Sequence, residues 1–250
     1  GAPVEVVFEV NDALVKDRPL EGVEVAVRAP GAEEPAATGT TGADGRFAAA
    51  LEPGAYEVAY RLAGYVPFTS EGAEVRSAGQ RITVSLSPLL EATGTVARQV
   101  RVILNWGSEP DQVRDADSHL ACVCGDATSH VYFGAKVHEG VGHRAELDVD
   151  DTDWGGPETV TLTDPPPGRY LYWVHDYAAG PGTLGSSDVV VRVVIGDQEA
   201  GQFRIFRGVV HRAWRPFAAI DVGADGTATV VPFTEDEIAE GRDLEVPPEL

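Results

Sequence analysis

The sequence contains no methionine, only two cysteines, few basic residues and no long apolar run. Its apolar stretches are short, as in Val189-Val190-Val191 and Phe217-Ala218-Ala219-Ile220. A membrane span needs roughly 20 such residues, so no membrane insertion is expected. No signal segment stands at the start, and the chain reads as a mature or trimmed form. There are 19 Lys and Arg against 40 Asp and Glu, a net charge of −21 over 250 residues. Up to Pro88 there are 7 basic and 13 acidic residues; beyond it there are 12 and 27. A field of that sign repels phosphate backbones, so nucleic acid is excluded as a partner, whereas a cation fits. The same charge also serves plain solubility.

The two cysteines, Cys122 and Cys124, share one face of an extended strand. Their Cα atoms would then stand about 6.5–7 Å apart, at the edge of disulfide geometry. Buried free thiols are the expectation, with a C-x-C redox site as the alternative. The pair gives no argument for an oxidising compartment.

What is abundant is period-2 alternation. Val4, Val6, Phe8 and Val10 fall on one face against Glu5 and Glu9. Val23, Val25 and Val27 repeat the pattern, as do Tyr56, Val58 and Tyr60, and then Ile82, Val84 and Leu86. Such alternation predicts strands with one buried face. Ala43-Asp44-Gly45-Arg46 and Glu52-Pro53-Gly54-Ala55 supply turn chemistry between them. A second strand set starts at Val100 and runs to Thr227–Phe233, with turns at Asp164-Pro165-Pro166-Pro167-Gly168 and Ala224-Asp225-Gly226. The fold expected is all-β: a transthyretin- or Ig-like β-sandwich at 1–88, a linker at 89–99, and a second antiparallel sandwich at 100–233. An acidic tail at 234–250 follows, with a capping box from Thr234 to Glu237 opening a short helix. The polar linker suggests that the two sandwiches fold independently.

The first segment also resembles a known family. Pro19-Leu20-Glu21-Gly22-Val23-Glu24-Val25 is followed by Thr41-Gly42-Ala43-Asp44-Gly45-Arg46-Phe47, then Leu51-Glu52-Pro53-Gly54-Ala55-Tyr56 and Gly64-Tyr65. Over residues 4–88 this resembles the carboxypeptidase regulatory-like domain, a transthyretin-like seven-stranded sandwich. The resemblance implies a structural or spacer domain of secreted and surface proteins, not a peptidase. No H-E-x-x-H occurs there, and residues 1–88 contain no histidine.

The second segment concentrates carboxylates in Asp115-Ala116-Asp117-Ser118-His119 and in Glu146-Leu147-Asp148-Val149-Asp150-Asp151-Thr152-Asp153. Asp115 with Asp117, and Asp148 with Asp150, point to one side of an extended chain. Asp151 and Asp153 extend the group into a turn. Oxygen ligands at this density suit calcium, which takes six to eight of them; the alternative is a solvated acidic loop. The spacing is not that of an EF-hand. These motifs, with Leu104-Asn105-Trp106, Gly156-Pro157-Glu158, Pro167-Gly168-Arg169-Tyr170 and Trp173-Val174-His175-Asp176-Tyr177, stand in an order that resembles the YfaP-like family of uncharacterised bacterial domains over residues 100–178. Ser118 stands where that family commonly has an apolar residue. The resemblance implies an extracytoplasmic β-domain rather than an activity.

All six histidines, His119, His130, His138, His143, His175 and His211, lie in the second segment. His119 and His175 with an aspartate would make a zinc set. No helical i, i+4 pair and no C-x-x-C accompanies them, so each reads as structural or superficial. No G-x-S-x-G, catalytic Ser/His/Asp order or phosphate loop is present. Trp106, Trp154, Trp173 and Trp214 with Tyr170, Tyr172 and Tyr177 would make an aromatic platform for sugar or peptide, although aromatics at strand positions usually fill cores. The reading is therefore a non-catalytic extracytoplasmic binding or structural module of a bacterial surface or periplasmic protein. Its partner would be a protein or a glycan. Calcium is the one candidate cofactor, held by Asp115, Asp117, Asp148, Asp150, Asp151 and Asp153. The alternative is a carbohydrate-binding module or accessory of a polysaccharide hydrolase.

Overall fold

The computed structural model describes residues 1–94, 98–124, 127–140, 143–178, 182–205 and 214–234. His211 and the tail beyond Thr234, with its expected helix, lie outside the described residues. The chain is nearly all β. The first seven strands are β1 (Val4–Asp12), β2 (Glu24–Arg28), β3 (Ala37–Thr40), β4 (Arg46–Leu51), β5 (Gly54–Arg61), β6 (Phe68–Val75) and β7 (Gln80–Leu86). They form two sheets in the orders β4-β1-β7 and β3-β2-β5-β6, antiparallel except for the parallel pairing of β1 with β7. The alternating residues Val6, Phe8, Val10, Val25, Val58 and Tyr60 fill the space between them.

A one-turn helix, α1 (Leu90–Thr93), leads to the second set. This set comprises β8 (Gln99–Asn105), β9 (Ala116–Cys124), β10 (Ala127–Val131), β11 (Val137–Gly140), β12 (His143–Val149) and β13 (Glu158–Thr163). It continues with β14 (Gly168–Asp176), β15 (Val190–Ile195), β16 (Gln198–Arg204), β17 (Trp214–Val222) and β18 (Ala228–Pro232). The sheets run β11-β12-β13-β8-β15-β16 and β10-β9-β14-β17-β18. Trp106, Leu120, Leu147, Leu162, Tyr172 and Ile220 belong to the core between them.

The two sandwiches do not hang on a free linker. Strands β8 and β15 are buried on both faces, the mark of a sheet covered on each side. Val102, Leu104, Val191 and Val193 face the inner core. On the other face Ile103 and Val194 pack with Ala13, Val66 and Leu89 of the first part. Arg101, 1 % exposed, donates to Ser87 Oγ at 2.8 Å and to the Pro88 carbonyl. Arg192 donates to both Glu199 carboxylate oxygens at 3.0 and 2.9 Å and to the Ser85 carbonyl. Its guanidinium carbon lies 3.6 Å from the Phe68 ring centroid. Asn105 and Ser85 exchange hydrogen bonds of 2.9 and 3.1 Å. The expectation of independent folding rested on the polar segment 89–99; these buried contacts accompany that segment in the structure.

The cysteines are a correction. Cys122 and Cys124 are joined in a disulfide rather than left as free thiols. Their Cα atoms are 5.5 Å apart, closer than an ideally extended strand would hold them and inside the range a disulfide spans.

Candidate metal centre

Pairing with β10 begins only at Leu120, so the first half of β9 has β14 on one side and an open flank on the other. Asp150 and Glu158, at the two ends of the segment between β12 and β13, come up beside Asp117 and Ser118 there. Gly156 sets the course of that segment. Its φ is +73°, and a Cβ there would lie 2.8 Å from the Trp106 ring and 2.9 Å from the Leu104 carbonyl. Two residues later Glu158 opens β13. It shares the inward row with Val160 and Leu162, and one carboxylate oxygen accepts the backbone N–H of Ser118 on β9.

Ligand-capable oxygens of Asp117, Asp150 and Glu158 thereby come within 4.8 Å of one another. Glu158 is fully buried, Asp117 is 3 % exposed and Asp115 is 8 % exposed. Asp115 Oδ1, Asp117 Oδ2 and Glu158 Oε1 are buried with no hydrogen-bond partner. Each orphaned group of this kind costs about 1–3 kcal/mol, and more when charged. Burial is the main cause that pushes the carboxyls up: Asp115 to about 7, with the neighbouring Asp117 and Asp150 charges adding to it, and Glu158 well above the usual carboxylate range. Asp117 and Asp151 are raised for the same first reason.

Two lysines partly offset this charge. Lys16, from the loop after β1, reaches across the junction to Asp151 Oδ1 at 3.3 Å and the Asp150 carbonyl at 3.1 Å. Lys136 pairs with Asp150 Oδ2. The structure thus brings Asp115, Asp117, Asp150 and Asp151 to one end of the second sandwich. It places two other expected ligands elsewhere. Asp148 sits at a bulge in β12 and is exposed, and Asp153 points outward to Arg114 at 3.0 Å. Glu158 is the residue that density of acids in sequence passes over. It stands alone after Pro157, and only its place in the Gly156-Pro157-Glu158 motif marked it.

On the outer face of the same sheet, cross-strand pairing sets His175 opposite Asp117 and Trp173 opposite His119. His119 is fully buried, and its Nδ1 is 3.0 Å from His130 Nε2. Trp173 and Tyr132 stack on it at 5.4 Å each, and Trp214 stacks on His175 at 3.7 Å. Burial, helped by the two neighbouring imidazoles, holds His119 neutral down to about 3. The expected aromatic platform is mostly not one: Trp106, Tyr170, Tyr172 and Trp173 are buried. Trp154 and Tyr177 are exposed, Tyr177 meeting the exposed Phe133 edge-on at 5.0 Å.

Among the described residues no helix is long and apolar enough to cross a membrane. Of known structures, a protein of unknown function, SAV2460, is 18% identical; the match covers 55% of this chain and 88% of that one, with a TM-score of 0.43. A homologue of the telluride resistance protein TerD, SCO6318 from Streptomyces coelicolor, is 19% identical over 56% and 92%, with a TM-score of 0.41. BcpA, the major pilin subunit of Bacillus cereus, is 10% identical over 94% and 97%, with a TM-score of 0.30. No shared activity follows from likenesses this distant. The family model of the carboxypeptidase regulatory-like domain matches residues 9–87. The first sandwich is thus similar to the carboxypeptidase regulatory-like domain over residues 9–87.

Proposed function

We propose that this chain is a non-catalytic extracytoplasmic module of a bacterial surface or periplasmic protein, and that its second, YfaP-like sandwich holds a calcium ion between Asp115, Asp117, Asp150, Asp151 and Glu158. The observation that carries this reading is Glu158. A fully buried carboxylate with one oxygen unpartnered, beside two more carboxylates, is costly unless a cation or protons neutralise the group. Calcium binds oxygen at 2.3–2.6 Å, so ligands across one ion stand about 4.6–5.2 Å apart. Oxygens of Asp117, Asp150 and Glu158 that all lie within 4.8 Å of one another are close enough to share one such ion. Magnesium, with its shorter bonds and retained waters, fits less well. The disulfide supports an oxidising compartment. Lys16 ties the first sandwich to the ion-binding loop, which gives the regulatory-like domain a role as a brace for the site.

Calorimetric titration of calcium into chelator-treated protein tests the proposal. A Kd on the order of the 10⁻⁴–10⁻³ M of extracellular modules is expected, with loss of the heat in Glu158→Gln. Unchanged binding in that variant would remove the site. The exposed Phe133, Tyr177 and Trp154 beside the acidic loop favour a second reading, a carbohydrate-binding module. A glycan array probed with and without calcium separates the two.

A further inference from the structure

The geometry points to a second metal site of different chemistry, in which Asp117, His119 and His175 hold a zinc-class ion. Ligand-capable atoms of these three residues lie within 4.8 Å of one another. His119 is fully buried and Asp117 is 3 % exposed. Asp117 Oδ2 and His175 Nδ1 stand 3.9 Å apart, beyond hydrogen-bonding distance. Both atoms are buried and unpartnered, and so is His119 Nε2. These three convergent atoms are each buried without a hydrogen-bond partner on an otherwise packed face. Zinc–nitrogen and zinc–oxygen bonds of about 2.0–2.2 Å place ligand atoms about 3–4 Å apart on one ion, so the 3.9 Å separation already fits and the widest pair needs to close by less than about 1 Å.

The surroundings suit an imidazole-bound metal. His119 Nδ1 is engaged with His130 Nε2 at 3.0 Å. With His119 as donor, its Nε2 carries a lone pair and no proton, the form a metal takes. His130 then acts as the outer partner that fixes ring and tautomer. Trp173 and Tyr132 clamp the His119 ring from its two stacking contacts, and Trp214 lies on His175. The His175 side chain is 20 % exposed and provides the entry path. Two nitrogens and one oxygen suit zinc, cobalt or nickel, whereas the all-oxygen set across Asp117 suits calcium. Asp117 has two oxygens and can serve both sets. A fourth position on the zinc-class ion is left for water or an acidic group of a partner.

Zinc chloride is titrated by calorimetry into the chelator-treated full chain and into Glu158→Gln, His119→Gln, His175→Gln and His130→Phe, each checked for folding by its thermal melt. The site requires zinc binding in the wild type and in Glu158→Gln. Either ligand substitution should weaken it by more than the roughly 10–100-fold that loss of an outer partner such as His130 costs. Should His119→Gln fail to fold, His175→Gln at the rim decides. Cobalt added in place of zinc should give a visible spectrum that His175→Gln abolishes. The inference is overturned if the wild type does not bind zinc, or if His175→Gln binds it unchanged. It is also overturned if Glu158→Gln loses zinc while the histidine variants keep it, since zinc would then sit among the carboxylates. Absence of calcium binding would count against the calcium site alone and leave these outcomes intact.

Discussion

The carboxylate of Glu158, on the first residue of β13, accepts the backbone N–H of Ser118 in β9 and so links the two sheets of the second sandwich through one buried acid. The same acid stands next to Asp117 and Asp150. Anything that neutralises Glu158 therefore acts on the packing of both sheets.

The raised carboxyls make the chelated protein sensitive to pH. A carboxyl whose folded pKa lies above its unfolded value favours the folded state at low pH and loses that favour as pH rises through the folded value. For Asp115 the window runs from about 4 to about 7. His119, lowered to about 3, works in the opposite direction, but only below its unfolded value near 6.5. The melting temperature in chelator should thus fall as pH rises from about 6 to about 7, and millimolar calcium should flatten the slope. A melting temperature that climbs across this window in chelator would contradict the assignment of buried, ionisable carboxyls.

Lys16 and Lys136 offset part of the acidic charge by pairing with Asp151 and Asp150. Replacing both with glutamine should lower the melting temperature in chelator and tighten calcium by roughly 1.5- to 5-fold, from the 0.2–1 kcal/mol of an exposed pair. Calorimetry on the double variant checks this; weaker calcium binding would show that the lysines position the loop rather than compete with the ion.

Gly156 fixes the approach of the loop to β13. Alanine there meets both a positive φ and the Trp106 ring at 2.8 Å. A loss of about 1–3 kcal/mol is expected, a fall in melting temperature of roughly 2–12 °C. Calcium affinity should fall with it, because Glu158 is two residues away. A melt within 1 °C of wild type would mean that the turn is not constrained as described.

Arg192 couples the two sandwiches. It is almost fully buried, pairs with Glu199 and covers Phe68. Arg192→Met should cost about 2 kcal/mol or more, since hydrogen bonds to charged groups are worth about 1.5–3 kcal/mol. It should also split the single calorimetric transition expected of the full chain into two. A full chain that already melts in two steps would show that the interface carries little coupling.

Much of the fold was legible in the sequence. The alternation of Val6, Phe8 and Val10 against Glu5 and Glu9 is the alternation of core and surface on β1. The turn at Asp44-Gly45 has the positive φ that its glycine announces. The contact between sandwiches was less visible, although it left a signal. Val100 to Leu104 is an unbroken apolar run but for Arg101, and such a run marks a strand buried on both faces; a single arginine disguised it. The cysteine reading failed because ideal strand geometry was assumed where the local chain is shorter.

The candidate site was half legible. Asp117 and Asp150, dense with other acids in sequence, converge with Glu158, and Asp115 lies near enough to feel the charges of Asp117, Asp150 and Asp151. Glu158 was hidden because its neighbours arrive from another sheet and another loop. His119 and His175 lie 56 positions apart, and only the β9–β14 register makes them neighbours. The sequence offers this pair with an aspartate as a zinc set, but no helical i, i+4 spacing or C-x-x-C supports it, so the set was put aside.

The most direct test of the calcium site is the thermal melt of the full chain at pH 7.5, first in chelator and then with calcium at ten times its Kd. Binding to the folded state alone adds RT ln(1 + [L]/Kd), about 1.4 kcal/mol at that concentration, which is a rise of roughly 3–6 °C for a chain of this size. Glu158→Gln should show no rise, and its melt in chelator should equal or exceed that of the wild type. Identical wild-type melts with and without calcium, together with no heat of binding, would show that the buried acids are held by protons and that no calcium site exists.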